Sequence, residues 1–283
     1  MTQIFNQIVQ KLISAGIENP RLEARLILAA AKNAECAEIS AFTELSDNEC
    51  ETAKKMLAER LKHKPLDKIL GHREFYKYDF FCDETVLSPR PDTEILVEQA
   101  AKLIFKHNMQ NILELGVGSG CVVLSLLADF PFLCGTGVDI SSKALKVAEK
   151  NALHLGVQNR INFFNFDWND ADFVSAFEKK FDIIVSNPPY IPSADIADLA
   201  PEVRDFDPLE ALDGGESGFD AYERIAKIAP NLLKEDGYLL FEAGINQASK
   251  IAEISEEQGF KLLDTAKDLA GIERCLILQK RPG

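Results

Sequence analysis

From Asp92 onward, stretches with helical spacing of apolar residues alternate with short apolar runs. The helical stretches are 92–106, 120–129, 142–154, 219–233 and 247–258; the strand-like ones are 111–115, 134–139, 161–166, 181–186 and 237–243, with further apolar runs at 260–263 and 274–279. Few folds accept that order, because a strand followed by a helix returns to pair in parallel with its predecessor. It predicts an α/β domain built on a mostly parallel sheet with helices on both faces. Such sheets bind ligands beyond the carboxyl ends of their strands, at the topological switch point.

Ahead of this region, 2–15, 20–33 and 47–62 place apolar residues at helical spacing, among them Ile4, Ile8, Leu12, Leu26, Ile27, Ala53 and Leu57. Pro20 stands near a helix start and Ser46 is placed as an N-cap. A small helical domain is expected over 1–73. The aromatic-rich run EFYKYDFFCDETVL predicts a short hairpin inside a linker at 74–90, and 91–283 forms the α/β domain.

Hydrophobic residues at 46% and charged residues at 27% of 283 place the chain among ordinary globular proteins. No apolar run approaches the roughly 18 residues of a membrane span, and the first residues read as an amphipathic helix without signal-peptide organisation. A cytoplasmic location is expected. Six cysteines without a CxxC pair and four isolated histidines fit neither a disulfide framework nor a metal site; reduced, mostly buried thiols are expected. The net charge of -14 argues against a general nucleic-acid binder, which requires clustered Lys and Arg.

Three strand ends carry residue types that suit a nucleoside. NILELGVGSGC puts Glu114, Gly116, Val117, Gly118, Ser119 and Gly120 at the end of one strand and in the turn after it, where glycine permits positive φ and close approach to a ligand. The spacing is ExGxGxG; a nicotinamide-type GxGxxG would need glycine at Cys121. CGTGVDIS ends on Asp139, where a doubly wound fold presents an acid to ribose hydroxyls, while Ser141 serves as the N-cap of the helix that follows. INFFNFDWND ends on Asp167 and Trp168, an acceptor and a flat apolar surface for an adenine ring. The strand of FDIIVSNPPYIP stops on two prolines that have no N–H to donate, so the turn is stiff and its carbonyls are free for another partner.

ELGVGSG, VDIS, FDW and SNPPY, in this order, resemble the motifs of class I S-adenosylmethionine-dependent methyltransferases. With the helical leader, LSPRPDTEILVE, NPPYIP and DFDPLEALDGGESGFDAYERI, nearly the whole chain resembles the release factor glutamine N5-methyltransferases, the PrmC/HemK family. The resemblance implies a Rossmann-like domain with a seven-stranded sheet. It implies that S-adenosylmethionine is bound by Gly116 to Gly120, Asp139 and Trp168, with Glu114, Asp167 and Asn187 contributing. The family more often has Ile or Val where this chain has Ser88.

A glutamine or adenine nitrogen is a poor nucleophile, because its lone pair is delocalised. It must be held in line with the methyl group, and the Asn187 side-chain oxygen with the Pro188 carbonyl form a natural pair of acceptors for its two N–H groups. Pro189 stiffens the turn and Tyr190 stacks on or walls off the planar group. No general base is needed before transfer, and no metal is expected. The implied reaction is N5-methylation of the GGQ glutamine in class I peptide chain release factors, giving S-adenosylhomocysteine, by a monomer that forms no stable complex with nucleic acid or membrane. The 191–218 segment is expected to act as a lid with partial helical order from Ile196, Leu199, Val203 and Leu209. The alternatives are methylation of a ribosomal-protein glutamine, where RSP is typical in place of Arg90-Pro91-Asp92, and methylation of adenine N6 or guanine N2 in nucleic acid. The second would require base extrusion and phosphate neutralisation.

Overall fold

The computed structural model describes residues 3–40 and 42–282 and divides into two compact units, one reaching to His72 and including 200–206, the other comprising Arg73–Leu199 and 207–282. The smaller unit holds α1 (Gln3–Ser14), α2 (Pro20–Lys32), α3 (Asp47–Arg60) and α4 (Leu66–Leu70). Thr2, included in the predicted first helix, lies outside the described residues. Ser46 caps α3 in a full capping box with Glu49, so two orphan backbone N–H groups are satisfied reciprocally. Arg60, at the end of α3, is 2% exposed. Its guanidinium donates to Glu23 at 2.7 Å and to Glu202 at 2.7 Å, which fastens α3 to α2 and to the 200–206 segment. Removing either acid would leave a buried charge short of a partner.

The larger unit opens with a hairpin, β1 (His72–Phe75) and β2 (Tyr78–Phe81), of which His72 groups with the helical unit. Tyr76 turns the chain with φ 58°. Next come α5 (Glu94–His107), β3 (Asn111–Leu115), α6 (Cys121–Asp129), β4 (Cys134–Asp139), α7 (Ser142–His154), β5 (Ile161–Asn165) and β6 (Phe181–Ser186). After the short α8 (Pro201–Arg204), which belongs to the smaller unit, come α9 (Asp220–Leu232), β7 (Leu233–Glu242), α10 (Ala248–Glu257), β8 (Phe260–Lys267) and β9 (Glu273–Lys280). The seven-stranded sheet runs β5-β4-β3-β6-β7-β9-β8. The first five strands in that row are parallel; β9 is antiparallel to β7 and to β8. The expected mostly parallel sheet is present, and the switch point falls between β3 and β6.

Ile112, Leu113, Ile183, Ile184 and Val185 are each fully buried, because helices cover both faces of these central strands. Each such side chain contributes on the order of 1.5–3 kcal/mol of burial. In β7, Leu233 pairs with Phe181, Lys234 to Gly237 leave the ladder, and pairing resumes at Tyr238 opposite Ile183. The expectation of mostly buried thiols needs correction. Only Cys82 and Cys275 are buried, and Cys134 is exposed because it is the first residue of β4, at the open amino end of the strand.

Asn151, in α7 and fully buried, stitches the hairpin to the glycine-rich turn. Its Oδ1 accepts from Phe81 N at 2.7 Å, and its Nδ2 donates to Phe81 O at 3.0 Å and to Ser119 O at 2.8 Å. Asn151→Leu strands all three groups. A loss of about 2–4 kcal/mol is expected in urea unfolding, far more than a surface substitution gives.

Candidate active site

The sheet register lines up the site. Leu115 pairs with Val138 on one side and Ser186 on the other, and Ser186 pairs with Phe241. The next residues, Asp139, Gly116, Asn187 and Glu242, therefore form a row across the carboxyl ends of four parallel strands. Beside that row opens a cavity of about 480 Å³, walled by Thr85–Arg90, the 116–119 turn, Asp139 and the 166–169 turn, and by Asn187, Pro189 and Pro208–Ala211.

Gly116 has φ 75°, and its N–H and that of Val117 both donate to Val138 O, at 2.9 and 3.0 Å. A Cβ at Gly116 would stand in ordinary contact with the Trp168 ring at 3.7 Å and Asn187 O at 3.9 Å, so it is the positive φ, not lack of space, that calls for glycine there. Asp139 accepts from Gly118 N and from Ser141 N, each at 2.8 Å, and still faces the cavity with its remaining lone pairs. Burial raises its pKa above the ordinary carboxylate value against the pull of those two N–H groups, and the nearby Glu210 charge adds to the rise. Glu114 is 2% exposed, and its Oε2 accepts from Val123 N at 2.9 Å, satisfying a free N–H of the first turn of α6. Burial pushes its carboxyl well above the ordinary range. Asp167 and Trp168 line the same cavity as Val117 and Ser119; Gly120, Pro188 and Tyr190 lie outside its lining.

The NPPY turn is braced on every side. Ser186 Oγ donates to Leu115 O at 2.7 Å, and Asn187 Nδ2 donates to Thr93 Oγ1 at 3.3 Å. The chain after the turn is clamped from two places downstream: in the glycine-rich segment, Ile191 N donates to Leu212 O at 3.0 Å and Gly214 N to Ile191 O at 2.8 Å, and at the start of α10 Gln247 Nε2 donates to Tyr190 O at 3.0 Å. Burial pushes the Tyr190 phenol up to about 12, so it stays neutral. A Cβ on Gly214 would stand 2.8 Å from Tyr190 Cα and 2.9 Å from Gly218 Cα, with backbone on both sides and no flexible tip to give way. Gly214→Ala is expected to displace the turn and lower turnover by about tenfold or more, measured beside a circular-dichroism melt. Activity equal to the parent would show that the clamp does not set the turn.

Several residues of this site were not foreseen. Thr93 and Arg90 come from SPRPDTE, which spans the expected boundary between the 74–90 linker and the α/β domain. Arg90 donates to the fully buried Asp207 side chain at 2.7 Å, tying that segment to DFDPLEALDGG. Glu242, 3% exposed, ends the apolar strand run YLLFE. Burial pushes its carboxyl up to about 7, against the pull of the Thr93 hydroxyl. A carboxylate closing an otherwise apolar strand was the signal available.

Two family models match the chain: the PrmC N-terminal domain over 3–71 and the methyltransferase small domain over 88–201. A release factor glutamine methyltransferase of Rhodospirillum rubrum is 42% identical over 96% of this chain and 82% of its own length. Those of Caulobacter vibrioides and Agrobacterium fabrum are 36% and 37% identical, over 96% of this chain in each case and 93% and 94% of their own lengths.

Proposed function

This chain belongs to the release factor glutamine methyltransferase family, and on that premise we propose that it methylates N5 of the GGQ glutamine in class I peptide chain release factors, using S-adenosylmethionine. The observation that carries the reading is the row Asp139, Gly116, Asn187 along one cavity at the switch point. The residues present suit the cofactor. The cavity has the size of a small-molecule site, Trp168 offers a flat apolar face, Asp139 offers acceptors, and Gly116 brings backbone with no side chain to the cavity wall.

Asp139 is assigned to the ribose hydroxyls, Trp168 and Asp167 to the adenine, and the 116–120 turn with Glu114 behind it to the methionine part. When bound, S-adenosylmethionine supplies an electrophilic sulfonium methyl group. Asn187 Oδ1 and the Pro188 carbonyl accept the two N–H groups of the substrate amide, which aims its nitrogen along the axis of transfer. Pro188 and Pro189 fix those acceptors in advance, and Tyr190 closes the wall beyond them. The nitrogen gains a methyl group and loses one of its two protons after transfer, so no base has to be poised beforehand.

The helical unit is assigned to gripping the protein substrate, and the enzyme to acting as a monomer in the cytoplasm. Among the described residues no helix is long and apolar enough to cross a membrane. The test is transfer of labelled methyl from S-adenosylmethionine to a release factor, to the same factor with its GGQ glutamine changed to alanine, and to duplex DNA. Label on the intact factor alone is expected. Label on DNA with none on the factor would overturn the reading.

A further inference from the structure

The chain from Val86 to Thr93 bridges the two outer members of the Asp139, Gly116, Asn187 row. Val86 packs with Cys82 against Ala144 and Val147, on the helix that begins just after Asp139, and Thr93 accepts from Asn187 Nδ2. The sheet register puts Gly116 between those two ends, and Ser88 and Pro89, partway along the bridge, line the same cavity as the 116–119 turn.

Ser88 is 1% exposed, and among the described residues its Oγ has no hydrogen-bond partner. Buried hydroxyls are nearly always bonded, and one without a partner costs free energy that an alanine at the same place would not. Because Oγ gives up no bond, a step between staggered χ1 wells that turns it onto a bound group costs less than the hydrogen bond it makes. The family more often has Ile or Val at this position, so the hydroxyl belongs to this chain and not to the family pattern.

The cofactor's methionine part carries an ammonium and a carboxylate. The turn to which that part is assigned has few donors left for the carboxylate: Gly116 N and Val117 N donate to Val138 O, Gly118 N to Asp139, and Gly120 N to Val117 O. On the bridge, Pro89 and Pro91 have no N–H, Thr85 Oγ1 donates to Asp83, and the Arg90 guanidinium is held by the fully buried Asp207 side chain. Of the side-chain donors in 85–91, Ser88 Oγ alone is without a partner among the described residues.

We propose that Ser88 is a further cofactor-binding residue, its hydroxyl donating to the α-carboxylate of the methionine part of S-adenosylmethionine. This rests on the assignment of the methionine part to the 116–120 turn. The hydroxyl then acts on what is bound and leaves the aiming of the substrate amide to Asn187.

The experiment compares the full-length wild type with Ser88→Ala. It measures calorimetric Kd for S-adenosylmethionine and for decarboxylated S-adenosylmethionine, which keeps the sulfonium and the amine but lacks the carboxylate, together with the melting temperature without cofactor and kcat at saturating cofactor. S88A is expected to bind S-adenosylmethionine about tenfold or more weakly, the size of one hydrogen bond to a charged group, and the decarboxylated compound within about twofold of wild type. Its melting temperature without cofactor is expected to equal or exceed that of wild type, and kcat to stay within about twofold. Unchanged affinity of S88A for S-adenosylmethionine overturns the inference. So does an equal loss for both compounds, which places the contact away from the carboxylate, or a lowered melting temperature beside equal losses, which makes the role one of packing. A wild type without affinity for S-adenosylmethionine overturns the cofactor assignment itself, a result distinct from a wild type that binds and an S88A that binds equally well.

Discussion

Asn187→Ala is expected to lower the rate of methyl transfer by about a thousandfold while cofactor affinity stays within a few fold. The asymmetry follows from what the side chain touches. Its only polar contact among the described residues is with Thr93, and the turn around it is held by other groups: Ser186 on Leu115, Gln247 on Tyr190, Gly214 on Ile191. Truncation therefore removes one acceptor without loosening the frame. Loss of a single preorganised polar group at a reacting centre costs about 10²–10³ in kcat, and an amide nitrogen left free to rotate loses its alignment as well. Asn187→Asp is a useful companion, because it keeps an oxygen toward the substrate and should recover part of the rate. Single-turnover transfer with labelled cofactor, beside calorimetry, reads both effects. An N187A enzyme of normal rate would end the proposed role.

The parts of this molecule written in local pattern were legible. The helical spacing around Ile8, Leu26 and Leu57 and the capping Ser46 report structure within a single element, and α1, α2 and α3 appear where the spacing puts them. The same holds for the α/β alternation, whose covalent order restricts the sheet to a parallel core. The apolar runs at 260–263 and 274–279 showed no type of their own. They form an antiparallel hairpin in which β9 takes the place beside β7, a choice made by pairing edges and invisible to periodicity.

What could not be read was whatever two distant segments make together. PRPDTE stood at the expected linker boundary, and nothing within it says that Thr93 meets Asn187 or that Arg90 meets Asp207. Leu209 read as an anchor for the long loop. It is 56% exposed and forms part of the cavity wall, while the loop is fastened by the Arg60–Glu202 pair and by the Ile191, Leu212 and Gly214 backbone bonds. A charged pair between segments far apart in sequence leaves no periodic trace. A buried carboxylate such as Glu242 does leave one, since it interrupts an apolar run, and such interruptions repay attention as candidate site residues.

Asp139→Ala should produce the opposite pattern to the Asn187 change: cofactor Kd about a hundredfold weaker, with kcat at saturating cofactor within about fivefold of the parent. Hydrogen bonds to a charged group contribute about 1.5–3 kcal/mol each, so two ribose hydroxyls at the lower end of that range, about 3 kcal/mol, account for the hundredfold loss in Kd. Asp139 also orders the turn on which the methionine part would rest, through Gly118 N, and the start of α7, through Ser141 N. Asp139→Asn tests which function dominates. Its amide can accept with one oxygen only, so one of those two N–H groups faces a donor, and an affinity between wild type and D139A is expected. The two residues flank Gly116 in the row of strand ends, yet Asp139 is assigned to what must be bound and Asn187 to what must be aimed. If D139A lost turnover at saturating cofactor as severely as N187A does, binding and alignment would be one function of the turn, and the division of labour proposed for these strand ends would fail.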